Sequence, residues 1–468
     1  MKKFLLFFVT GWLLILGTHT QAQTYEQITS MSAEDIGILA ASFGIPTNVY
    51  QAEYEVNVYQ VIYEMPYLGE TIEVSGALFL PTGVDPSCEL PVHTYMHGTI
   101  FERNQAPSFM PFEAMLGYFM ASPGYITLMP DYVGLGTSML MHPYVQAQSE
   151  ADAGIYMMQE VANLGEQLGF EYNDELFISG YSQGGHAAMA MAKEIKENWS
   201  DIYEVTACAP MAGPYNMSGV QGPLSVSVDV YPSPAYFAYN VIGWNSYYGN
   251  IYDDLSEIFQ DPYASMLPGM FDGETSVDEI NSALPTLTSE LLQPGIIDAI
   301  LNDSEHPYML AAFDNDVHDW TPECHMQIYY CEADDVVYPE NALSTYDQMI
   351  ASGAENVTTF NGGELDHQGC AGTSILSGLL WLDQYHQECM PESVYEFSKG
   401  NGSIAIAPNP TVQGKTSILG LPSNTQWRVR DITGRIISTG TTKTVEIGEK
   451  HGIYFIEVEG TGTVKVLN

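Results

Sequence analysis

Gly180-Tyr181-Ser182-Gln183-Gly184-Gly185 is the stretch whose reading decides the fold. Before it, Glu175-Leu176-Phe177-Ile178-Ser179 reads as a short buried strand. After it, His186-Ala187-Ala188-Met189-Ala190-Met191-Ala192-Lys193 reads as a small-residue helix. Strand, Gly-x-Ser-x-Gly, helix is the pattern of a nucleophile elbow. Its tight turn pushes the serine into a strained, exposed position. Glycine at 180 and 184 leaves room for strand and helix to pass, and the helix N-terminus adds positive dipole beside the serine. The plain alternative is a glycine-rich turn. The flanking strand and helix favour a serine hydrolase.

The stretches around the elbow set the rest of the fold. Gln27 to Phe43 reads as a helix. Residues 54–63 alternate as a half-exposed strand does, and 71–81 is the expected antiparallel partner. Further strands are expected at 90–96, 124–132, 203–210, 325–330 and 356–360, with a long helix at 149–168. An antiparallel start followed by alternating strands and helices predicts an α/β fold, a mostly parallel sheet covered on both faces.

In such a sheet the chemistry collects at the carboxyl ends of the strands. A serine hydroxyl needs a base to take its proton and a carboxylate to orient that base. Cys331-Glu332-Ala333-Asp334-Asp335 follows the 325–330 strand, and Gly362-Gly363-Glu364-Leu365-Asp366-His367 follows the last one. The chain order Ser, Asp, His suits this elbow. His367 is therefore the expected base and Asp334, in preference to Asp335, the expected acid. His186 follows the elbow too closely to serve Ser182 and reads as a packed helix residue. The developing oxyanion needs two donors. They are expected from the backbone N–H of Gln183 and from the loop His97-Gly98-Thr99, at Gly98 or Thr99, with His97 shaping that loop. The chemistry calls for no cofactor and no metal. Asp314, Asp316 and Asp319 lie close enough in sequence to suggest a cation, but a solvated acidic loop is the plainer reading.

Charge divides the chain. Acidic residues number 58 and basic ones 13, for a net charge of −45. Eight of the basic residues lie after position 398, and between 23 and 398 only Arg103, Lys193 and Lys196 are basic. A strongly acidic body and a mildly basic tail are two domains, 23–398 and 399–468. The acidic surface repels nucleic acid and anionic membranes and favours neutral substrates. No long internal repeat or low-complexity tract interrupts the chain. Met1-Lys2-Lys3, the apolar run 4–17 and Thr20-Gln21-Ala22 read as a secretory signal peptide over 1–22. No other run approaches the roughly 20 apolar residues of a spanning helix. The mature protein is expected to begin near Gln23 and to work outside the cytoplasm.

His97-Gly98-Thr99 with Ala106-Pro107-Ser108, then 130–136, His142-Pro143-Tyr144, 180–185 and 332–337 together resemble the secretory lipase branch of the α/β-hydrolases, the fungal lipase-A-like enzymes and their bacterial relatives. The resemblance covers most of residues 50–390. It implies the same triad and an ester substrate, so a lipase or esterase. Cys331 stands where glycine is usual in the acid motif. The aromatic-rich insertion at about 213–320 resembles that family's lid. A serine peptidase of the same fold, or a binding protein on an inactive hydrolase scaffold, are the other readings. In the tail, Ala407-Pro408-Asn409-Pro410, 427–435 and 452–458 read as short strands of a small β-sandwich. They resemble the C-terminal sorting domain of type IX secretion in Bacteroidetes, which implies export by that machinery. A carbohydrate-binding or adhesive module is the alternative.

Six cysteines stand in a compartment where disulfides form. Cys324 and Cys331 bracket a strand and lie roughly 23 Å apart. Cys370 and Cys389 bracket an expected helix, 371–387, and lie roughly 25 Å apart. A bridge needs Cα atoms within about 7 Å. Rim position then predicts Cys331–Cys370 and Cys324–Cys389, with Cys208 a buried thiol and Cys88 lacking an obvious partner.

Overall fold

Val56, Val58, Val61, Tyr63 and Met65 are buried, and most of their neighbours face outward, so this segment is a strand with two different faces. It belongs to a nine-stranded sheet in the computed structural model, which describes residues 24–387, 405–412, 415–419, 425–431, 435–447, 453–458 and 462–467. The expected signal peptide, 1–22, lies outside them. The chain divides into two units, 1–387 and 388–468.

The strands of the first unit are β1 (Tyr25–Met31), β2 (Glu55–Tyr67), β3 (Glu70–Thr82), β4 (Leu90–Met96), β5 (Ile126–Pro130), β6 (Tyr172–Tyr181), β7 (Val205–Met211), β8 (His325–Tyr330) and β9 (Val357–Asn361). Their order across the sheet is β1-β2-β3-β5-β4-β6-β7-β8-β9. The first three strands and the β3–β5 pair are antiparallel; from β5 to β9 every pair is parallel. Every residue of β5 is buried, as a central strand covered on both faces requires.

The helices are α1 (Ala33–Ser42), α2 (Met115–Ala121), α3 (Ala147–Leu168), α4 (Gln183–Glu194), α5 (Gly222–Ser227), α6 (Pro234–Tyr248), α7 (Tyr263–Met266), α8 (Val277–Ala283), α9 (Thr288–Leu291), α10 (Pro294–Asn302), α11 (Pro307–Asp314), α12 (Glu340–Ala351) and α13 (His367–Leu382). Met157 of α3, Met191 of α4 and Met349 of α12 join one core with Ile178 and Ile328 of the sheet. On the opposite face, α13 packs Cys370 and Leu382 against Phe177, Ala209 and Tyr329. Helices α5–α11 fill the connection between β7 and β8. They have a core of their own, built on Trp244, Phe259 and Tyr308, and form a cap on the body.

Two sequence expectations change. The helix expected over 27–43 is a strand followed by a helix. Thr29 is β-branched and pairs with Val58 of β2, while Ile28 stands at an irregularity in the register. Ser32 caps α1, its side chain accepting from the Asp35 amide. The second change concerns the cysteines. Cys331 and Cys370 are joined by a disulfide. Cys324 is a free thiol, so it forms no bridge to Cys389, which lies outside the described residues. The reason is strand parity. Cys324, Met326 and Ile328 face the core under α4 and α12, whereas Tyr329 and Cys331 face α13. Cys324 thus packs on the face opposite α13, the helix expected to deliver Cys389. Cys88 is disulfide-bonded, and Cys208 is a buried free thiol.

In the second unit, β10 (Ala405–Val412), β11 (Lys415–Leu419) and β14 (Thr444–Glu446) form a three-stranded antiparallel sheet. The strands β12 (Trp427–Asp431), β13 (Ile436–Gly440), β15 (Ile453–Val458) and β16 (Gly462–Leu467) form a four-stranded one. Ile418 and Val445 of the first share a core with Trp427, Val429, Ile456 and Val458 of the second, the arrangement of a small sandwich.

Candidate active site

Strand β6 runs directly into α4 through Ser182, whose backbone is held at φ 60°, ψ −121°. A non-glycine residue there is strained, and the surroundings must hold it. The Ser182 amide donates to the Met211 carbonyl at 2.9 Å, which pins the turn to the end of β7. The crossing is so close that a Cβ at Gly184 would collide with the Met96 carbonyl oxygen of β4. The glycines of the elbow are thus a condition of the geometry.

Ser182 Oγ lies 2.8 Å from His367 Nε2. His367 Nδ1 lies 2.7 Å from Asp334 Oδ2. His367 is the first residue of α13, after the loop that follows β9, and Asp366 caps the helix by accepting from the Gly369 amide. The Tyr181 hydroxyl donates to the His367 carbonyl and its ring lies against the imidazole. Asp334 is buried, and its other oxygen accepts from the amides of Val336 (3.1 Å) and Val337 (2.8 Å). Asp335 is exposed. The structure therefore brings Ser182, His367 and Asp334 into one hydrogen-bonded chain and leaves Asp335 outside it. The Cys331–Cys370 bridge ties the loop after β8 to α13, three residues from Asp334 and from His367 respectively.

The oxyanion loop differs in detail from expectation. The Gly98 amide is already bonded to Glu113 Oε1 at 2.9 Å, a carboxylate that also accepts from the Tyr95 hydroxyl. Burial raises the pKa of Glu113, and these bonds oppose the shift. Gly98 therefore has no spare N–H for a substrate. The Thr99 amide has no hydrogen-bond partner among the described residues, and its side chain is bonded to the Tyr144 hydroxyl at 2.9 Å. His97 lies beneath the loop, stacked on Tyr132 at 4.1 Å, with Nδ1 2.7 Å from the Gly98 carbonyl. Burial pushes its pKa down to about 4.

Beside Ser182 a cavity opens with an empty volume of about 500 Å³, its open mouth included. The cap supplies much of its wall, through Met217, Tyr231, Tyr236, Phe237 and Tyr308; Val336 and Val337 supply another part. The three aspartates considered for a cation are engaged separately. Asp314 accepts from Tyr248, Asp316 from Ser218, and Asp319 pairs with Lys193. No group of three potential ligands for a metal occurs among the described residues.

The chain has the α/β-hydrolase fold. No protein-family profile matches the sequence, and no curated protein matches it. Solved structures do. A protein of Legionella pneumophila named as a candidate hydrolase is 27% identical, with a TM-score of 0.72, covering 78% of this chain and 98% of that one. The rice cell wall degrading esterase LipA of Xanthomonas oryzae is 25% identical, with a TM-score of 0.70 and the same coverages. Lipase A of Candida antarctica in its closed state shares the fold at 14% identity, with a TM-score of 0.58, over 78% of this chain and 83% of that one. The protein is thus related in structure to ester hydrolases.

Sequence reading missed the buried polar residues behind the elbow. Gln183 Nε2 lies 2.8 Å from both His142 Nε2 and Glu150 Oε1, and Glu150 Oε2 lies 2.7 Å from His186 Nδ1. One signal was present. Glu150 shares the buried stripe of α3 with Ala151, Ala153, Gly154 and Met157, where a carboxylate needs a partner. His186 is the packed histidine expected from sequence, and that partner.

Proposed function

We propose that the protein is a serine hydrolase that cleaves carboxylic esters through an acyl-enzyme. The observation that carries this reading is the 2.8 Å contact from Ser182 Oγ to His367 Nε2, with Asp334 on the other side of the ring. His367 Nε2 takes the proton of Ser182 as Oγ attacks the ester carbonyl. Asp334 holds Nδ1–H, so Nε2 is the free base. The tetrahedral oxyanion is received by the N–H of Gln183, at the N-terminus of α4, and by that of Thr99. Collapse expels the alcohol, which takes the proton from His367. Water, deprotonated by the same nitrogen, then releases the acid. One oxyanion donor contributes about 10²- to 10³-fold in kcat. The likeness to esterases and a lipase, and the aromatic cavity beneath the cap, support an ester substrate. The excess of acidic residues over basic ones favours a neutral one.

We also propose that the protein is secreted. The 1–22 leader directs it out of the cytoplasm, and the C-terminal sandwich acts as a sorting domain for type IX export. No helix among the described residues is long and apolar enough to cross a membrane.

The decisive assay sets p-nitrophenyl esters of increasing acyl length beside matched anilides. Ester turnover is expected, and Ser182→Ala and His367→Ala are each expected to abolish it in folded protein. Preferential cleavage of the anilides makes the protein a peptidase. Full esterase activity in Ser182→Ala refutes the mechanism.

A further inference from the structure

Gln183 is tied down by its side chain as well as by the helix it begins. The residue is 1% exposed. The direction of each of its bonds is fixed. His142 Nδ1 stands 2.7 Å from the Val133 carbonyl, an acceptor, so Nδ1 carries the hydrogen and Nε2 accepts. Burial pushes this imidazole's pKa down to about 3, which keeps the ring neutral. Glu150 Oε1 is likewise an acceptor. Both amide hydrogens of Gln183 are therefore used, and a flipped amide would set its oxygen against two acceptors.

Glu150 is fixed in turn. It is fully buried and bonded through Oε2 to His186 Nδ1, one turn along α4 from the elbow. His186 Nε2 donates to the Asn315 carbonyl at 2.9 Å. Asn315 ends α11 of the cap; its side chain accepts from the Ala147 amide at 2.8 Å and donates to the Tyr248 hydroxyl of α6 at 2.9 Å. On the other branch, the His142 ring lies 5.5 Å from that of Tyr239, also on α6. Helix α6 presses so closely here that a Cβ at Gly243 would stand 2.7 Å from the His142 carbonyl oxygen. The groups that hold Gln183 are the groups on which the cap rests.

We propose that His142, Glu150, His186 and the Gln183 side chain are positioning residues for acyl transfer, fixing the Gln183 N–H as an oxyanion donor and joining it to the seat of the cap. This rests on the reading of Ser182 as an acylated nucleophile. Replacing a buried polar network by apolar packing of the same volume often costs no stability, so stability alone does not account for it. Aim does account for it. A donor that drifts by a fraction of an ångström loses the developing charge, whereas substrate in the ground state barely registers the change.

Gln183→Met tests this, since it keeps the backbone N–H and the side-chain length and removes both bonds. The readouts are kcat and KM for p-nitrophenyl acetate, per site labelled by a fluorophosphonate probe, and Ki for phenylboronic acid. The boronate adduct on Ser182 sets an oxygen at the oxyanion position. A ten- to hundredfold loss in kcat is expected, with a rise in Ki by a similar factor and KM within threefold. A kcat and Ki within twofold of wild type, or a change in KM alone, overturns the proposal. Should Gln183→Met not fold, His142→Phe serves, because it keeps the ring contacts and removes one acceptor. A three- to tenfold loss in kcat with a matching Ki is expected, and no loss overturns the proposal. A wild-type protein that neither labels nor turns over ester removes the acyl-transfer reading and this proposal with it.

Discussion

Asp334→Asn is the substitution for which the structure fixes the outcome most closely. Asp334 Oδ1 accepts two backbone amides, from Val336 and Val337, and Oδ2 faces His367 Nδ1. An asparagine in its place has one acceptor oxygen and one NH2 group. The two amides claim the oxygen, which sends the NH2 toward Nδ1. Nδ1 must then accept, the hydrogen moves to Nε2, and the nitrogen facing Ser182 Oγ can no longer take its proton. Wrong-tautomer enzymes of this mechanism lose about 10⁴ in kcat, or about 5 kcal/mol of transition-state stabilisation. The fold should survive, because the Val336 and Val337 bonds are retained. Asp335 is exposed and outside the hydrogen-bonded chain, so Asp335→Asn should stay within about twofold of wild type. The assay is steady-state hydrolysis of p-nitrophenyl butyrate, normalised to sites labelled by fluorophosphonate in the wild type and to folded protein by circular dichroism in the variants. More than a tenth of wild-type kcat in Asp334→Asn, or a larger loss in Asp335→Asn, refutes the assignment of the acid.

Three further outcomes are expected. Replacing Cys331 and Cys370 together by alanine opens a loop with a sequence separation of 39, worth about 4 kcal/mol of unfolded-state entropy; denaturant unfolding should show a loss of that order and kcat should fall, and unchanged stability refutes a stabilising role for the bridge between the loop after β8 and α13. Burial holds the Cys324 thiol up to about 12 and the Cys208 thiol well above its ordinary range, and the thiolate is the reactive form; neither should be alkylated by iodoacetamide at pH 8 in the native protein and both should be in urea, as peptide mass mapping reads out. Ending the chain near Glu392 should leave ester hydrolysis intact and abolish accumulation outside the cell; normal extracellular yield favours an adhesive role for the tail.

Much of this was legible in the sequence because it is local. The elbow needs glycine on both sides of Ser182, a strand before it and a helix after it, and all of that lies within a few turns of chain. The order of Ser182, Asp334 and His367, each following a strand, is also a linear fact, and a parallel sheet converts it into proximity at one edge. Charge and strand spacing likewise separate the C-terminal β-unit without reference to coordinates. Other features are decided only by packing. Residues 27–31 enter β1 because β2 offers an edge to pair with, which no local helix propensity reveals. Cys324, just before β8, packs on the face opposite α13, since side-chain parity in a sheet matters only once the helices on each face are known. Gly98 loses its free amide to Glu113, and Gln183 gains its tether from His142 and Glu150. These partners are 15 to 41 residues distant in sequence and meet only when the sheet and cap have formed. Sequence determined which residues would carry the proposed chemistry; the tertiary structure decided which of their hydrogen bonds are already spent, because a buried polar group must take its partner from whatever the fold brings beside it.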